Sequence, residues 1–177
     1  MSIRFIPVHP MIAAECSGID IGAPLTRPEA DALHAGMDQY AVLVFRRDIP
    51  LTTPQQLAFT ANFGPFQDGA NSTERRDELR LDPAFADVSN LDREGRKLSR
   101  DDRRRMASLA NRLWHSDASF RVVPARYSIL SGRIVVSKGG NTEFADMRAA
   151  WDALPEATRT QRSEEHTSEL QSRETIS

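Results

Sequence analysis

The segment Tyr40-Ala41-Val42-Leu43-Val44-Phe45-Arg46 constrains the fold more than any other. It is an unbroken apolar run closed by an arginine. Such a run reads as a strand. Because both alternating sets of side chains are apolar, it is expected to be buried on both faces. Helix-opening signals flank it. Upstream, Leu25-Thr26-Arg27-Pro28-Glu29 begins a helix with Thr26 as N-cap and Glu29 as capping-box partner. Ala32, Leu33, Gly36, Met37 and Tyr40 form its less polar face. Downstream, Leu51-Thr52-Thr53-Pro54-Gln55-Gln56 repeats the chemistry. There Thr53 is read as the cap, Pro54 as the first helical residue and Gln56 as the box partner. Leu57, Phe59, Ala61 and Phe63 supply packing, and Gly64-Pro65 stops the helix. The likeness of the two openings is shared capping chemistry, not an internal repeat. Gly18-Ile19-Asp20-Ile21-Gly22 is read as a short strand entering a turn.

Between Gly69 and Arg105 charge is dense and apolar residues are sparse. Asp87-Val88-Ser89-Asn90-Leu91 is expected to be one short strand, and Glu94 to Arg105 an exposed loop or short helix. Arg100-Asp101-Asp102-Arg103-Arg104-Arg105 has the look of a nucleic-acid patch. It contains two acids and lacks interleaved aromatics, so a solvated loop is the reading. Further on, Tyr127-Ser128-Ile129-Leu130-Ser131 and Arg133-Ile134-Val135-Val136 suggest strands around a bulge at Gly132. Ser137-Lys138-Gly139-Gly140 is a turn. Asp146 caps a final helix running to about Leu154, which Pro155 ends.

Charge and composition narrow the partners. The net charge is −2, and residues 162–177 account for it with two arginines against four glutamates. The remainder is neutral and gives no electrostatic reason for binding nucleic acid or an anionic membrane. The single cysteine, Cys16, excludes an intramolecular disulfide and reads as a small buried hydrophobe. No basic leader precedes an apolar core, and no apolar run reaches membrane-spanning length, so a cytoplasmic location is expected.

The chemistry lies in Leu113-Trp114-His115-Ser116-Asp117. On a strand, residues two apart share a face. His115 and Asp117 would then converge as two thirds of a two-histidine, one-carboxylate triad, which binds non-haem iron and leaves positions open. Trp114 and Ser116 would face the other way and support the strand. Asn111, four before His115, would lie on its face.

Two stretches together carry a family resemblance. They are Asn111-Arg112-Leu113-Trp114-His115-Ser116-Asp117-Ala118-Ser119-Phe120 and Gly139-Gly140-Asn141-Thr142-Glu143-Phe144-Ala145-Asp146-Met147. The chain resembles the taurine and phenoxyacetate dioxygenases, which depend on iron(II) and 2-oxoglutarate, from about Ile19 to about Gln161. Arg126-Tyr127-Ser128 and the stretch from Asn141 to Met147 are most similar to the phenoxyacetate branch. The resemblance implies that His115 and Asp117 hold iron(II). It implies that Thr142 binds the distal carboxylate of 2-oxoglutarate, and that Asn111 lies near co-substrate and substrate. It also implies hydroxylation of a small organic acid, of phenoxyacetate, sulfonate or similar type, by O2, with succinate and CO2 as co-products. Together with the strand pattern it implies a mainly β chain with peripheral helices (α+β), an incomplete double-stranded β-helix or jelly roll. A homo-oligomer is expected of the longer protein.

In that family the second histidine and a carboxylate-binding arginine lie far downstream of the His-x-Asp pair. No residue here is expected to replace them: His9 and His34 read as surface residues, and His166 lies in a suspect tail. From Arg162 the sequence, Arg-Ser-Glu-Glu-His-Thr-Ser-Glu-Leu-Gln-Ser, looks like a translated sequencing adapter. Only Leu170 and Ile176 are large and apolar in residues 162–177, too few to bury a face. The expectation is therefore a dioxygenase portion over residues 1–161 followed by a foreign, disordered tail. Such a chain would bind iron weakly and not turn over. Two other classes stay open: a cupin-like metal-dependent hydrolase or isomerase, and a non-catalytic binding domain that keeps the fold.

Overall fold

The computed structural model describes residues 2–67, 80–119 and 121–163. The chain groups into two compact units. One comprises Met1–Ile19, Asp31–Arg47 and Val135–Ser177, the other Asp20–Ala30 and Asp48–Ile134.

The first unit holds a three-stranded sheet in the order β1 (Arg4–Pro7), β2 (Ala14–Ser17), β3 (Leu43–Val44). β1 and β2 are antiparallel, with Phe5 opposite Cys16. β2 and β3 are parallel, with Ala14 opposite Leu43. The crossover between the parallel strands is helix α1 (Arg27–Tyr40). Ala14 and Cys16 are buried while Glu15 and Ser17 are half-buried, the alternation of a sheet with one packed face. Leu33 of α1 is 1% exposed and Gly36 is buried beside it. Gly36 allows close approach: a Cβ there would lie 2.6 Å from Phe5 Cε1 and 3.3 Å from Leu43 Cδ1. The Phe5 ring also sits 5.9 Å from that of Tyr40. The less polar face expected of α1 is the one that packs. His34 on this helix is half-buried rather than at the surface, while His9 is exposed.

Reversal from α1 into β3 runs through Ala41, at φ 60°. Its N–H donates to Met37 O at 2.8 Å, closing the last helical turn. Ala13 N–H donates to Tyr40 O at 2.8 Å and Ala14 N–H to Val42 O at 3.0 Å, tying the turn to β2.

The sheet corrects two expectations. The early strand is Ala14–Ser17, not Gly18 to Gly22. There Gly18 has φ 79°, Asp20 Oδ1 accepts from Gly22 N–H at 2.9 Å, and the chain turns. The apolar run from Tyr40 pairs only over Leu43–Val44, and Val44 is exposed, so it is not buried on both faces. The αL turn at Ala41 uses its first residues, and β2 offers it a single partner edge. Also in this unit, Asp146 caps helix α4 (Met147–Asp152), its carboxylate accepting from Arg148 N–H at 2.9 Å. Pro155 does not simply end the helix. Its carbonyl accepts from Thr158 and Arg159, opening a second helical stretch over residues 156–163. Residues 162 and 163, placed in the tail by sequence, continue that stretch, and His166 lies outside the described residues.

The second unit is organised on α2 (Thr53–Ala61). The capping box is formed by Thr52 and Gln55, one residue earlier than expected. Gln56 is instead 5% exposed, and its Oε1 accepts from Arg133 at 3.3 Å. Leu51 and Phe59 are buried with Ile21 and Ala30, while Ala61 is exposed. Asn62 caps the helix C-terminus, ahead of Gly64-Pro65. The Thr26–Glu29 box at the start of α1 forms as expected, Glu29 accepting from Thr26 N–H at 2.8 Å.

Residues 87–91 are not a strand. Leu91 forms an isolated bridge with Lys97 around a turn held by Asp92 and Arg96, whose side chains pair at 2.9 Å. Helix α3 (Arg103–Ser108) and a 3-10 turn (Leu109–Arg112) follow. The stretches 127–131 and 133–136 are in no strand. A strand needs a ladder partner, and among the described residues none pairs with them. The described residues thus hold a small sheet and few helices, consistent with part of a larger β architecture.

Candidate active site

His115 and Asp117 meet, but not on a strand. The 3-10 turn ends at Arg112, residues 114–116 are irregular, and residues 117–119 turn. Ala118 follows at φ 54°, where the chain turns. His115 Nε2 lies 3.2 Å from Asp117 Oδ1. His115 Nδ1 lies 2.7 Å from the Leu113 carbonyl oxygen. A carbonyl only accepts, so this contact assigns the ring proton to Nδ1. Nε2 then presents its lone pair to a carboxylate that is also an acceptor. A divalent ion beside both would satisfy the two acceptors at once.

The donor set fits a metal. Neutral imidazole nitrogen and carboxylate oxygen are ligands for first-row divalent ions. Bonds of about 2.1 Å to one ion place two ligands at a right angle roughly 3.0 Å apart, close to the observed separation. A ligating histidine that donates its other N–H to a backbone carbonyl is held in orientation and tautomer. The side chains are 47% and 60% exposed, so the pair is open on one side. Among the described residues no group of three His, Cys, Asp or Glu could hold a metal ion, so no third such side chain joins the pair.

The other sequence candidates are not drawn in by these contacts. Asn111 is exposed on the 3-10 turn, whose period of three breaks the strand alternation that would have aligned it with His115. Thr142 belongs to the other unit and is exposed in an irregular segment after Gly139 and Gly140, both at positive φ, not in a strand. Trp114, expected to support the strand, is 69% exposed.

One contributor is not legible in residue types: the Leu113 carbonyl, a backbone group that residue identity does not reveal. Apart from the pair, Arg133 reaches back about eighty residues to Thr53 Oγ1 and Gln56 Oε1, each at 3.3 Å, with its guanidinium 5.2 Å from the Phe85 ring centroid. Cys16 is buried as expected, and burial pushes its thiol up to about 11. No helix of the described residues is long and apolar enough to cross a membrane.

Comparison with known proteins gives a consistent pattern. The family model described as "Taurine catabolism dioxygenase TauD, TfdA family" matches residues 4–170, running past Gln161. The chain is 44% identical over 155 residues to an alpha-ketoglutarate-dependent 2,4-dichlorophenoxyacetate dioxygenase of Cupriavidus pinatubonensis, covering 88% of this chain and 54% of that protein. It is 40% identical over 156 residues to a protein of the same description from Burkholderia sp. (strain RASC), covering 88% and 52%. A crystal structure of AAD-2 in complex with Mn(II) and N-oxalylglycine is similar at a TM-score of 0.77 and 45% identity, over 91% of this chain and 53% of that one. The chain spans about half the length of the curated relatives it matches.

Proposed function

Because this chain belongs to the taurine catabolism dioxygenase TauD, TfdA family, we propose that it carries two of the three iron(II) ligands of a 2-oxoglutarate-dependent dioxygenase, His115 and Asp117. Thr142 and Asn111 complete its share of the co-substrate site, and the protein acts in the cytoplasm. Iron(II) with 2-oxoglutarate, when bound, supplies the oxidising power that couples decarboxylation of the co-substrate, giving succinate and CO2, to hydroxylation of a C–H bond by O2. The substrate class is a small organic acid of phenoxyacetate, sulfonate or similar type; the names of the relatives at 44% and 40% identity support the phenoxyacetate type.

The chain's own residues hold and orient. The Leu113 carbonyl fixes the His115 ring, Nε2 and the Asp117 carboxylate face one point, and the exposed flank leaves room for exchangeable ligands. The Thr142 hydroxyl donates to a carboxylate oxygen of the co-substrate. The fold of the intact protein is a jelly roll, a reading supported by the TM-score with AAD-2. Residues 1–161 belong to it, and residues 162–177 are an adapter-like addition without a role.

The observation that carries this reading is the 3.2 Å approach of His115 Nε2 to Asp117 Oδ1, with Nδ1 turned onto the Leu113 carbonyl. With only two ligands, the chain by itself binds iron(II) weakly and does not turn over. Anaerobic titration of iron(II) into the chain and into His115→Ala tests the ligand assignment. A loss of about tenfold or more, 1.4 kcal/mol, is expected, and equal binding would overturn it. Succinate formation dependent on iron and substrate by the purified chain would overturn the inactivity.

A further inference from the structure

We propose that Arg148 is a positioning residue for the co-substrate segment. Its guanidinium ties the start of α4 to the C-terminal end of α1, and so fixes the point from which Thr142 is presented. The inference rests on the reading of Thr142 as a group that meets 2-oxoglutarate.

The C-terminal end of α1 needs donors from outside. The last four carbonyls of a helix have no partner within it. Here Met37 O accepts from Ala41 N–H at 2.8 Å, and Tyr40 O accepts from Ala13 N–H at 2.8 Å and Val42 N–H at 2.7 Å. Asp38 O accepts from Arg148 Nη1, 110 residues further along the chain. The last turn of α1 holds no basic residue of its own. Arg148 therefore also brings the positive charge that a helix C-terminus favours.

The same guanidinium grips α4. Arg148 Nη2 donates to Asp146 Oδ2 at 2.8 Å, and Nε donates to Oδ1 at 3.0 Å. The Asp146 side chain is 9% exposed, and as N-cap of α4 it also accepts from the Arg148 backbone N–H at 2.9 Å. One planar fork thus spans a carboxylate on one side and a helix carbonyl on the other, which a point-charge ammonium does not do.

Thr142 lies four residues before this anchor. Residues 139–146 are in no helix or strand. Upstream, Gly139 and Gly140 stand at φ 76° and 72°, where glycine's freedom gives the chain little stiffness. The segment is fixed at its Asp146 end, and loss of the Arg148 side chain releases it there.

The test uses the full chain, isotope-labelled and saturated with zinc(II) as a diamagnetic ion. Nuclear magnetic resonance reads the order parameter of the Thr142 amide and its shift during titration with 2-oxoglutarate. Arg148→Gln is expected to lower the order parameter to below about 0.6 and to weaken 2-oxoglutarate binding about tenfold or more. Arg148→Lys should behave like Arg148→Gln. Asp146→Asn, which keeps a capping side chain but loses the carboxylate, should reproduce the loss. Zinc affinity should not move, because His115 and Asp117 belong to the other unit. Protected amides at residues 14–17 check that each variant folds. An unmoved order parameter, full rescue by lysine, or a fall in order with unchanged 2-oxoglutarate binding would each overturn the inference. Thr142→Ala separates it from the reading beneath it. If that variant binds 2-oxoglutarate like the unaltered chain, the Thr142 assignment fails and the inference with it. If Thr142→Ala weakens binding and Arg148→Gln does not, the positioning role alone fails. No response of Thr142 to 2-oxoglutarate in the unaltered chain would overturn both.

Discussion

His115 and Asp117 face each other across one intervening residue: Nε2 and Oδ1 lie 3.2 Å apart, where an irregular stretch enters a turn. The Leu113 carbonyl, 2.7 Å from Nδ1, keeps the ring from rotating away.

Asp117→Asn keeps the shape of the pair but removes its negative charge. Iron(II) or manganese(II) affinity is expected to fall about tenfold or more, since a neutral amide is a poor partner for a divalent ion. Both side chains are well exposed, so unfolding free energy should change by no more than about 0.5 kcal/mol. Titration followed by manganese electron paramagnetic resonance, beside urea denaturation, reads both. Unchanged affinity would remove Asp117 from the site.

Gly36→Ala sets two terms against each other. Alanine is favoured in a helix interior by about 1 kcal/mol. The new Cβ, however, falls 2.6 Å from Phe5 Cε1 and 2.7 Å from Cζ, and so overpacks the α1–sheet contact. Overpacking costs about 1–3 kcal/mol. Net destabilisation of about 1 kcal/mol is expected in chemical denaturation. A stabilised variant would mean that the Phe5 ring swings clear without loss.

Ala41→Gly is expected to be neutral or to stabilise by up to about 1 kcal/mol. An L-residue in the left-handed region costs about 1–2 kcal/mol, more than the entropy a glycine adds to the unfolded chain, about 0.5–1 kcal/mol. Ala41→Val at the same φ should destabilise. A destabilising glycine would show that the Ala41 methyl packs more than its half-buried state implies.

Acid should loosen both helix starts. Glu29 is held below the ordinary 4.5 by the Thr26 backbone N–H and then the Thr26 hydroxyl. Asp146 is held below 3.8, chiefly by hydrogen bonds from the Arg148 side chain. A carboxyl whose folded value is lowered adds stability above its unfolded value, and that stability is lost as pH falls through the folded value. Helical circular dichroism in intermediate urea should therefore hold above about pH 5 and decline below about pH 4. Glu29→Gln with Asp146→Asn should flatten the decline. An equally steep decline in the double variant would assign it to other groups.

The sequence was most informative where structure is local. The Thr26–Glu29 box and the Asp146 cap each close within three residues, and both form. At the second helix the same rule admitted two registers, because Thr52 with Gln55 and Thr53 with Gln56 both satisfy it. Burial of Gln56 against Arg133, 77 residues away, decides between them. The expected strands at 127–131 and 133–136 differ for a related reason: burial alternates over 127–134, but a strand also needs a ladder partner, and among the described residues none pairs with them. Ala14–Ser17 was overlooked because Glu15 and Ser17 interrupt its apolar character, although their alternation with Ala14 and Cys16 was the available signal. At the site, residue types pointed to His115 and Asp117, whereas the Leu113 carbonyl leaves no mark in residue identity.

Cys16 gives the sheet a built-in reporter. It is the chain's lone thiol, it is 6% exposed opposite Phe5, and burial pushes it up to about 11. An alkylating reagent at neutral pH meets neither access nor a thiolate until β1 and β2 separate. The rate of labelling thus becomes a clock for opening of that hairpin, readable by mass spectrometry without adding a probe.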